Sequence, residues 1–185
     1  MNIFYLHENP IQNAKWHVDK HIVKMPTEYA QLLSTAHRVL DGDMYYGKTV
    51  NGRKIKRWTL RDTRENKLYK ASHVNHPSAV WARETRSNYM LLYKIYMACL
   101  AEYTYRYGKQ HGAGKISGEL LRPPNNIKSG ELTEMPQAMP DYCKVHITDD
   151  YGNKVGNPIK GYRNYYINEK NGFATWKNRQ PPSWY

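Results

Sequence analysis

Apolar residues recur every three or four positions in the N-terminal part of the chain, and this spacing constrains the fold more than any other feature. The first series occupies residues 11–25 and a second occupies residues 27–40, with Pro26 between them. A repeat of this length matches one face of an α-helix. We therefore predict helical structure from 11 to 40, kinked or interrupted at Pro26, and ended by Asp41-Gly42-Asp43.

The same spacing returns after His76-Pro77, where residues 78–107 predict the longest helix of the chain. Its apolar face is broad, which is typical of a central core helix, and Cys99 fits there as a small core residue. Gly108 follows as a helix-ending residue. Further short helices are expected near 115–122 and over 158–171, the latter with Ile159, Tyr162, Tyr166 and Ile167 inward.

Between the long helices, the segment Thr49-Val50-Asn51-Gly52-Arg53-Lys54-Ile55 contains the Asn-Gly pair typical of a tight β-hairpin turn. We predict a mainly α fold, a compact single-domain helical bundle. The helical core spans residues 1–110 with a small hairpin inserted near 45–60. Residues 111–185 form a long irregular extension with one or two helices.

The charge balance points to a nucleic-acid partner. Lys and Arg number 28 against 16 Asp and Glu, which gives a net charge of +12. The 17 Tyr and 5 Trp against 2 Phe suit half-exposed surfaces that can stack on bases. No run approaches the length of a membrane span, and two Cys make no disulfide framework. We expect a monomeric protein that binds DNA and no membrane. We expect it in the cytoplasm, which is that of the host cell if the protein is phage-encoded.

The densest basic segment lies on the predicted hairpin and just after it, with Tyr45, Tyr46 and Tyr69 nearby. A mixture of cations and aromatic rings suits phosphate contact and base stacking, although a solvated ribbon would have the same composition. The residues that we predict to contact nucleic acid are His17, Lys20, His21, Arg53, Lys54, Lys56, Arg57, Trp58, Arg61, Arg64, His73 and His76.

Two histidine pairs leave several interpretations open. His17 and His21 share a helix face, and His73 and His76 precede the longest helix. The four could close one metal site, which would make the chain a metal-dependent nuclease. They could equally be DNA-facing donors or satisfied core groups. No Cys or Glu-His signature supports a metal, so we predict none and no cofactor. A third possibility is a non-catalytic module for single strands or RNA.

Two helical carboxylates, Glu28 and Glu84, are candidates for acid–base chemistry. Glu28 lies among Tyr29, Gln31 and Leu32, and a carboxylate that is half buried by apolar neighbours can exchange protons near neutral pH. No Ser-His-Asp or Cys-His arrangement stands out beside them.

The order of these parts resembles the pyrimidine-dimer DNA glycosylases, the phage-type endonuclease V family. The likeness covers residues 1 to about 110. The segments that carry it are Met1-Asn2-Ile3-Phe4-Tyr5-Leu6-His7, Glu28-Tyr29-Ala30-Gln31-Leu32-Leu33, Val39-Leu40-Asp41-Gly42, Asn75-His76-Pro77 and Tyr105-Arg106-Tyr107-Gly108.

The resemblance implies a helical enzyme that flips a damaged or modified pyrimidine out of double-stranded DNA and cuts its glycosidic bond. Members use the free N-terminal α-amine as nucleophile, form a Schiff base and nick the strand by β-elimination. Here the amine would belong to Met1, which we expect to be retained because Asn2 is large. An α-amine is partly neutral near neutral pH. Glu28 would assist as the acid–base group, with Lys24 as a further candidate for a functional position.

Overall fold

The computed structural model describes residues 1–185 and is mainly α, as predicted: six α-helices and short 3₁₀ turns make it 48% helical, and two small antiparallel hairpins complete it. The helices are α1 (Pro10–Trp16), α2 (Asp19–Asp41), α3 (Pro77–Ala82), α4 (Arg86–Tyr107), α5 (Ser117–Leu120) and α6 (Pro158–Glu169). The strands are β1 (Asp43–Lys48), β2 (Lys54–Thr59), β3 (His146–Thr148) and β4 (Lys154–Gly156).

The first helical segment is interrupted at a different place from the one that Pro26 indicates. His17 and Val18 have extended backbone and separate α1 from α2, whereas α2 continues through Pro26 to Asp41. Pro26 removes one backbone donor. The long buried face of α2, which packs against α4, offsets that loss.

The predicted helix over 78–107 is likewise two helices, because Thr85 caps the start of α4. Its side chain accepts a hydrogen bond from the Asn88 backbone N–H at 3.1 Å, which satisfies a donor at the helix N-terminus. At the other end Gly108 has a φ of +68°, a left-handed conformation that glycine adopts without strain, so the predicted end of α4 is confirmed.

The predicted hairpin is confirmed as β1 and β2, which pair from Asp43–Thr59 to Lys48–Lys54. Gly52 in its turn has a φ of +73°, which explains the need for glycine there. The second hairpin, β3 and β4, was not predicted, because strands of three residues carry no readable alternation. Its turn is closed by the Asp149 side chain, which accepts from the Asn153 N–H at 2.8 Å.

One hydrophobic core of 29 buried residues joins the N-terminal segment, the long helices and the C-terminal extension. Cys99 on α4 is fully buried, as predicted. Tyr162 and Tyr166 of α6 are also fully buried, whereas Ile167 is exposed, contrary to the prediction. The extension therefore packs on the same core as the N-terminus, and this arrangement builds the site described next.

Candidate active site

The N-terminal amine lies beside the carboxylate of Glu28. The Met1 nitrogen is 3.8 Å from Glu28 Oε2, and the Asn2 backbone N–H donates to the same oxygen at 3.3 Å. Lys24, one turn earlier on α2, places its Nζ 2.9 Å from Glu28 Oε1. The Glu28 side chain is only 13% exposed, so the fold brings an amine, a carboxylate and an ammonium group together in a half-buried position.

Contacts on both sides hold the N-terminal residues in place. The Met1 side chain is 3% exposed and packs against the core, and Ile3 is fully buried. Asn2 Nδ2 donates to the Ala138 carbonyl at 2.8 Å, and the Tyr162 hydroxyl lies 2.7 Å from Asn2 Oδ1. Burial raises the pKa of Tyr162, so its hydroxyl keeps its proton. The C-terminal extension thus fixes the position of the Met1 amine.

His76 is close enough to the Met1 amine, to Glu28 and to His73 for their charges to act on it. Burial lowers the pKa of His76, and the positive charges of the Met1 amine and of His73 lower it further. His76 caps α3: its Nδ1 accepts from the Ser78 N–H at 3.2 Å, which leaves the proton on Nε2. A neutral imidazole with a free donor therefore lies near the amine and Glu28.

A groove beside this group contains Trp58. Its volume is about 290 Å³, and it runs between strand β2 and the segment 71–75. Its lining includes the basic side chain of Lys56 and the rings of Trp58 and His73. Ser72 holds the segment to α2, because its N–H donates to Thr35 Oγ1 at 3.2 Å.

Arg38, which is 2% exposed, holds the end of strand β2, which carries Trp58. Its guanidinium donates to the Trp58 carbonyl at 3.1 Å and to the Glu65 carboxylate at 2.7 Å. It also donates to the carbonyls of Glu65, Leu68 and Tyr69. A buried guanidinium with all these acceptors is stable because each donor is satisfied, and it ties the end of β2 to α2.

The structure separates the predicted cationic contacts into free and engaged groups. Arg53, Lys54 and Lys56 are exposed on the hairpin, and Arg57 is half-exposed. Arg61 is exposed and pairs with Asp43 at 2.5 Å. Arg64 is different: its guanidinium is bound by Asp41 at 2.6 Å and by Asp62 at 2.7 Å. Arg64 is thus already paired with two carboxylates, and a nucleic-acid contact for it stays a prediction.

The prediction for His17 and His21 is corrected, because both are buried. His17 is fully buried between the Asn13 carbonyl and the Tyr29 hydroxyl, at 2.7 and 3.0 Å. His21 stacks on Phe4 with ring centroids 4.0 Å apart and bonds the Tyr166 hydroxyl at 2.6 Å. Neither imidazole reaches the surface. Lys20, by contrast, is exposed, with its ammonium 4.5 Å from the Phe173 ring centroid.

The four histidines do not form a metal site. His17 and His21 lie in the core, His73 and His76 lie near the surface, and no group of three or more His, Cys, Asp or Glu side chains is placed to hold a metal ion. The interpretation as a nuclease that uses these four histidines is therefore wrong. Glu84 is exposed and accepts from Thr133 Oγ1 at 3.0 Å, so it lacks the partial burial expected of an acid–base group.

A larger cavity, of about 520 Å³, lies elsewhere, next to His37, Arg64 and Glu119. Its arginine is engaged by Asp41 and Asp62, as described above, and burial lowers the pKa of His37 to about 4. This cavity presents no free nucleophile beside a carboxylate, whereas the Met1 site does.

Sequence reasoning missed the residues that build the site from outside the first 110 positions. Tyr162 was expected only as a core residue, and Ala138 and the Asn2 side chain were not singled out. Arg38 left no signal, because a lone arginine within an amphipathic helix usually indicates a solvated position. Comparisons of the chain with protein-family models, with curated proteins and with solved structures returned no match. No helix has both the length and the apolar character needed to cross a membrane.

Proposed function

We propose that this protein is a DNA glycosylase with lyase activity on abasic sites, acting on damaged or modified pyrimidines in double-stranded DNA. The observation that carries the proposal is the Met1 amine at 3.8 Å from Glu28, in a protein with a net charge of +12. A primary amine beside a half-buried carboxylate supplies both a nucleophile and an acid–base group. We further propose that the enzyme is a compact, single-domain monomer.

The chemistry follows from these two groups. The target base is flipped out of the stack, because C1′ of its sugar cannot be reached inside the duplex. The neutral Met1 amine attacks C1′, and the bond from C1′ to the base breaks with its electron pair leaving on the base, which takes up a proton. The sugar ring opens to an imine between C1′ and the Met1 nitrogen, with O4′ becoming a hydroxyl.

Glu28 acts in the steps that move protons. It is placed to accept a proton from the ammonium that forms when the amine attacks, to give that proton to O4′ as the ring opens, and then to accept a proton from C2′. Loss of the C2′ proton expels the 3′ phosphate by β-elimination, which nicks the strand. Lys24, at 2.9 Å from Glu28, holds the carboxylate in position and adds positive charge next to the DNA backbone.

The proposal requires the amine of Met1 itself. Its packed side chain supports this requirement, because the methionine anchors the amine at Glu28 and a chain starting at Asn2 would lack that anchor. Intact-mass measurement of the purified protein should show that Met1 is retained and unmodified. A mass lacking Met1 would contradict the assignment.

Borohydride trapping tests the nucleophile directly, because borohydride reduces an imine to a stable amine. The native protein should become covalently attached to a duplex with an abasic site. Acetylation of the α-amine, or a tag left on the N-terminus, should abolish trapping while salt-sensitive DNA binding is preserved. If the blocked protein traps as well as the free one, the nucleophile is a lysine, with Lys20 and Lys24 as candidates, and the proposal is wrong.

Substitution of the carboxylate tests the acid–base role. Glu28→Gln should bind DNA and cleave the glycosidic bond more slowly by roughly two to four orders of magnitude. Glu84→Gln is the matched control, because Glu84 is exposed and outside the site. Equal rates for the two variants would remove Glu28 from the mechanism.

A non-catalytic nucleic-acid-binding module is the second candidate, and the exposed basic hairpin favours it as much as it favours the enzyme. The two differ in one result. If no damaged or abasic duplex gives a trapped product or a nick, while DNA is bound tightly at low salt, the binding module is the correct function.

A further inference from the structure

The two faces of the β1–β2 hairpin differ sharply in composition. Side chains alternate between faces along a strand, and the pairing register assigns each residue to one side. One face, called here the lysine–tryptophan face, comprises Met44, Tyr46, Lys48, Lys54, Lys56 and Trp58. The opposite face comprises Asp43, Tyr45, Gly47, Ile55, Arg57 and Thr59.

The lysine–tryptophan face is complementary to a polyanion. It holds three exposed lysines and no carboxylate, whereas the only acidic residue of the hairpin strands, Asp43, lies on the opposite face and pairs with Arg61. Lysines spaced along a ribbon can neutralise successive phosphates of one strand and release their counterions. Charge alone therefore favours a nucleic-acid backbone on this face.

Two aromatic rings lie among these lysines. Tyr46 is 54% exposed, with the Lys54 ammonium 3.9 Å from its ring centroid, and Trp58 is half-exposed. Tyr46 pairs with Lys56, two residues before Trp58, so the two aromatic residues are diagonal neighbours on one face. Such neighbours are about 7–8 Å apart, within reach of large side chains. Rings placed in this way can stack on bases that are not paired in a duplex.

This face leads toward the candidate active site. Lys56 and Trp58 line the 290 Å³ groove together with His73. The charge of His73 acts on His76, which also responds to the Met1 amine and to Glu28. His73, which lines the groove, and His76, which caps α3, are three residues apart, so the groove lies between the hairpin and the start of α3.

We infer that the lysine–tryptophan face binds a stretch of DNA with unpaired bases, which stack on Tyr46 and Trp58 while its phosphates contact Lys48, Lys54 and Lys56. This inference deepens the proposed function and rests on it for one point, that the strand leads to the Met1 amine. In that setting the hairpin holds the unstacked nucleotides of a distorted strand while the target sugar lies at Met1.

A comparison of adjacent tyrosines tests the inference. Tyr45 and Tyr46 are 50% and 54% exposed and lie on opposite faces, so Tyr45→Ala is the matched control for Tyr46→Ala. The probe is a fluorescently labelled oligo-thymidine strand, with a fully paired duplex of the same length beside it. Anisotropy titration should show Tyr46→Ala weakening single-strand binding by about 5- to 150-fold, the loss typical of one stacked base. Tyr45→Ala should stay within about twofold of the native protein.

Trp58→Ala should reproduce the loss, provided that its unfolding midpoint matches that of the native protein; Tyr46→Ala carries the test if Trp58→Ala does not fold. Equal single-strand affinities for Tyr45→Ala and Tyr46→Ala would overturn the inference. An equal loss by Tyr46→Ala on the paired duplex would overturn the assignment to unpaired bases. These titrations use undamaged DNA without borohydride, so failure of the glycosylase proposal leaves their outcome readable, and the reverse also holds.

Discussion

Three buried histidines make the stability of this protein sensitive to mild acid. Burial lowers the pKa of His17 to about 4, of His21 to about 2 and of His37 to about 4, and in each case a nearby cation adds to the effect. In the unfolded chain a histidine titrates near 6.5. Below pH 6.5 the unfolded state therefore binds more protons than the folded state, and the free energy of unfolding falls as the pH falls toward 4.

The size of the effect follows from the difference between the two pKa values. A pH of 5 is about 1.5 units below the unfolded pKa of each histidine, and the folded histidine is still neutral there. Each histidine therefore lowers the free energy of unfolding by about 2 kcal/mol relative to pH 8. Three such groups together remove about 6 kcal/mol. A domain of this size has a total stability of about 5–15 kcal/mol, so we expect marginal stability near pH 5.

Urea denaturation at pH 8, 6.5, 5.5 and 5 measures this loss. His37→Asn should reduce the difference in unfolding free energy between pH 8 and pH 5 by about 2 kcal/mol, because one of the three linked protons is removed. His146→Asn, on the exposed strand β3, is the control and should leave the difference unchanged. An unfolding free energy that stays constant from pH 7 to pH 5 would show that the buried histidines are not held neutral.

Tyr162→Phe removes the hydroxyl that holds Asn2, so single-turnover trapping should slow by about 10- to 100-fold with unchanged DNA affinity. Tyr166→Phe, one turn later on α6, is the control and should not affect trapping. Equal effects of the two variants would indicate that the Tyr162 hydroxyl has a purely structural role. Arg38→Ala leaves buried carbonyls without a donor and should lower the free energy of unfolding, measured by urea denaturation, by at least about 3 kcal/mol. The control Arg53→Ala, at an exposed position, should lower it by about 0.5 kcal/mol or less. DNA affinity of the native protein should fall steeply with salt. In a fourfold alanine variant the log–log slope should flatten by about 2 units, because two of the four cations, Lys54 and Lys56, lie on the lysine–tryptophan face; an unchanged slope would place the contact surface elsewhere. The four substituted positions are Arg53, Lys54, Lys56 and Arg57.

Local features of the sequence determined the elements that depend on neighbouring residues. The spacing of apolar residues predicts the helical segments, Asn51-Gly52 predicts the first hairpin, and Gly108 predicts the end of α4. Each of these signals acts within a few residues, through side-chain periodicity or a left-handed turn, so it can be read without the fold. Glu28 was a candidate from its apolar helical neighbours, whereas functional roles for Met1 and Lys24 were expected only through the family resemblance.

Tertiary structure decided which polar side chains are free. His17 and His21 have the spacing of surface ligands, but Phe4, Tyr29 and Tyr166 close over them, and the last of these is 145 residues from His21. Arg64 looks like any other basic residue of its segment until Asp41 is placed beside it.

The position of the Met1 amine depends on the fold in the same way, because Tyr162 holds Asn2 across 160 residues of chain. Burial and charge pairing arise between segments that are remote in sequence, and only the packing of one segment on another determines them.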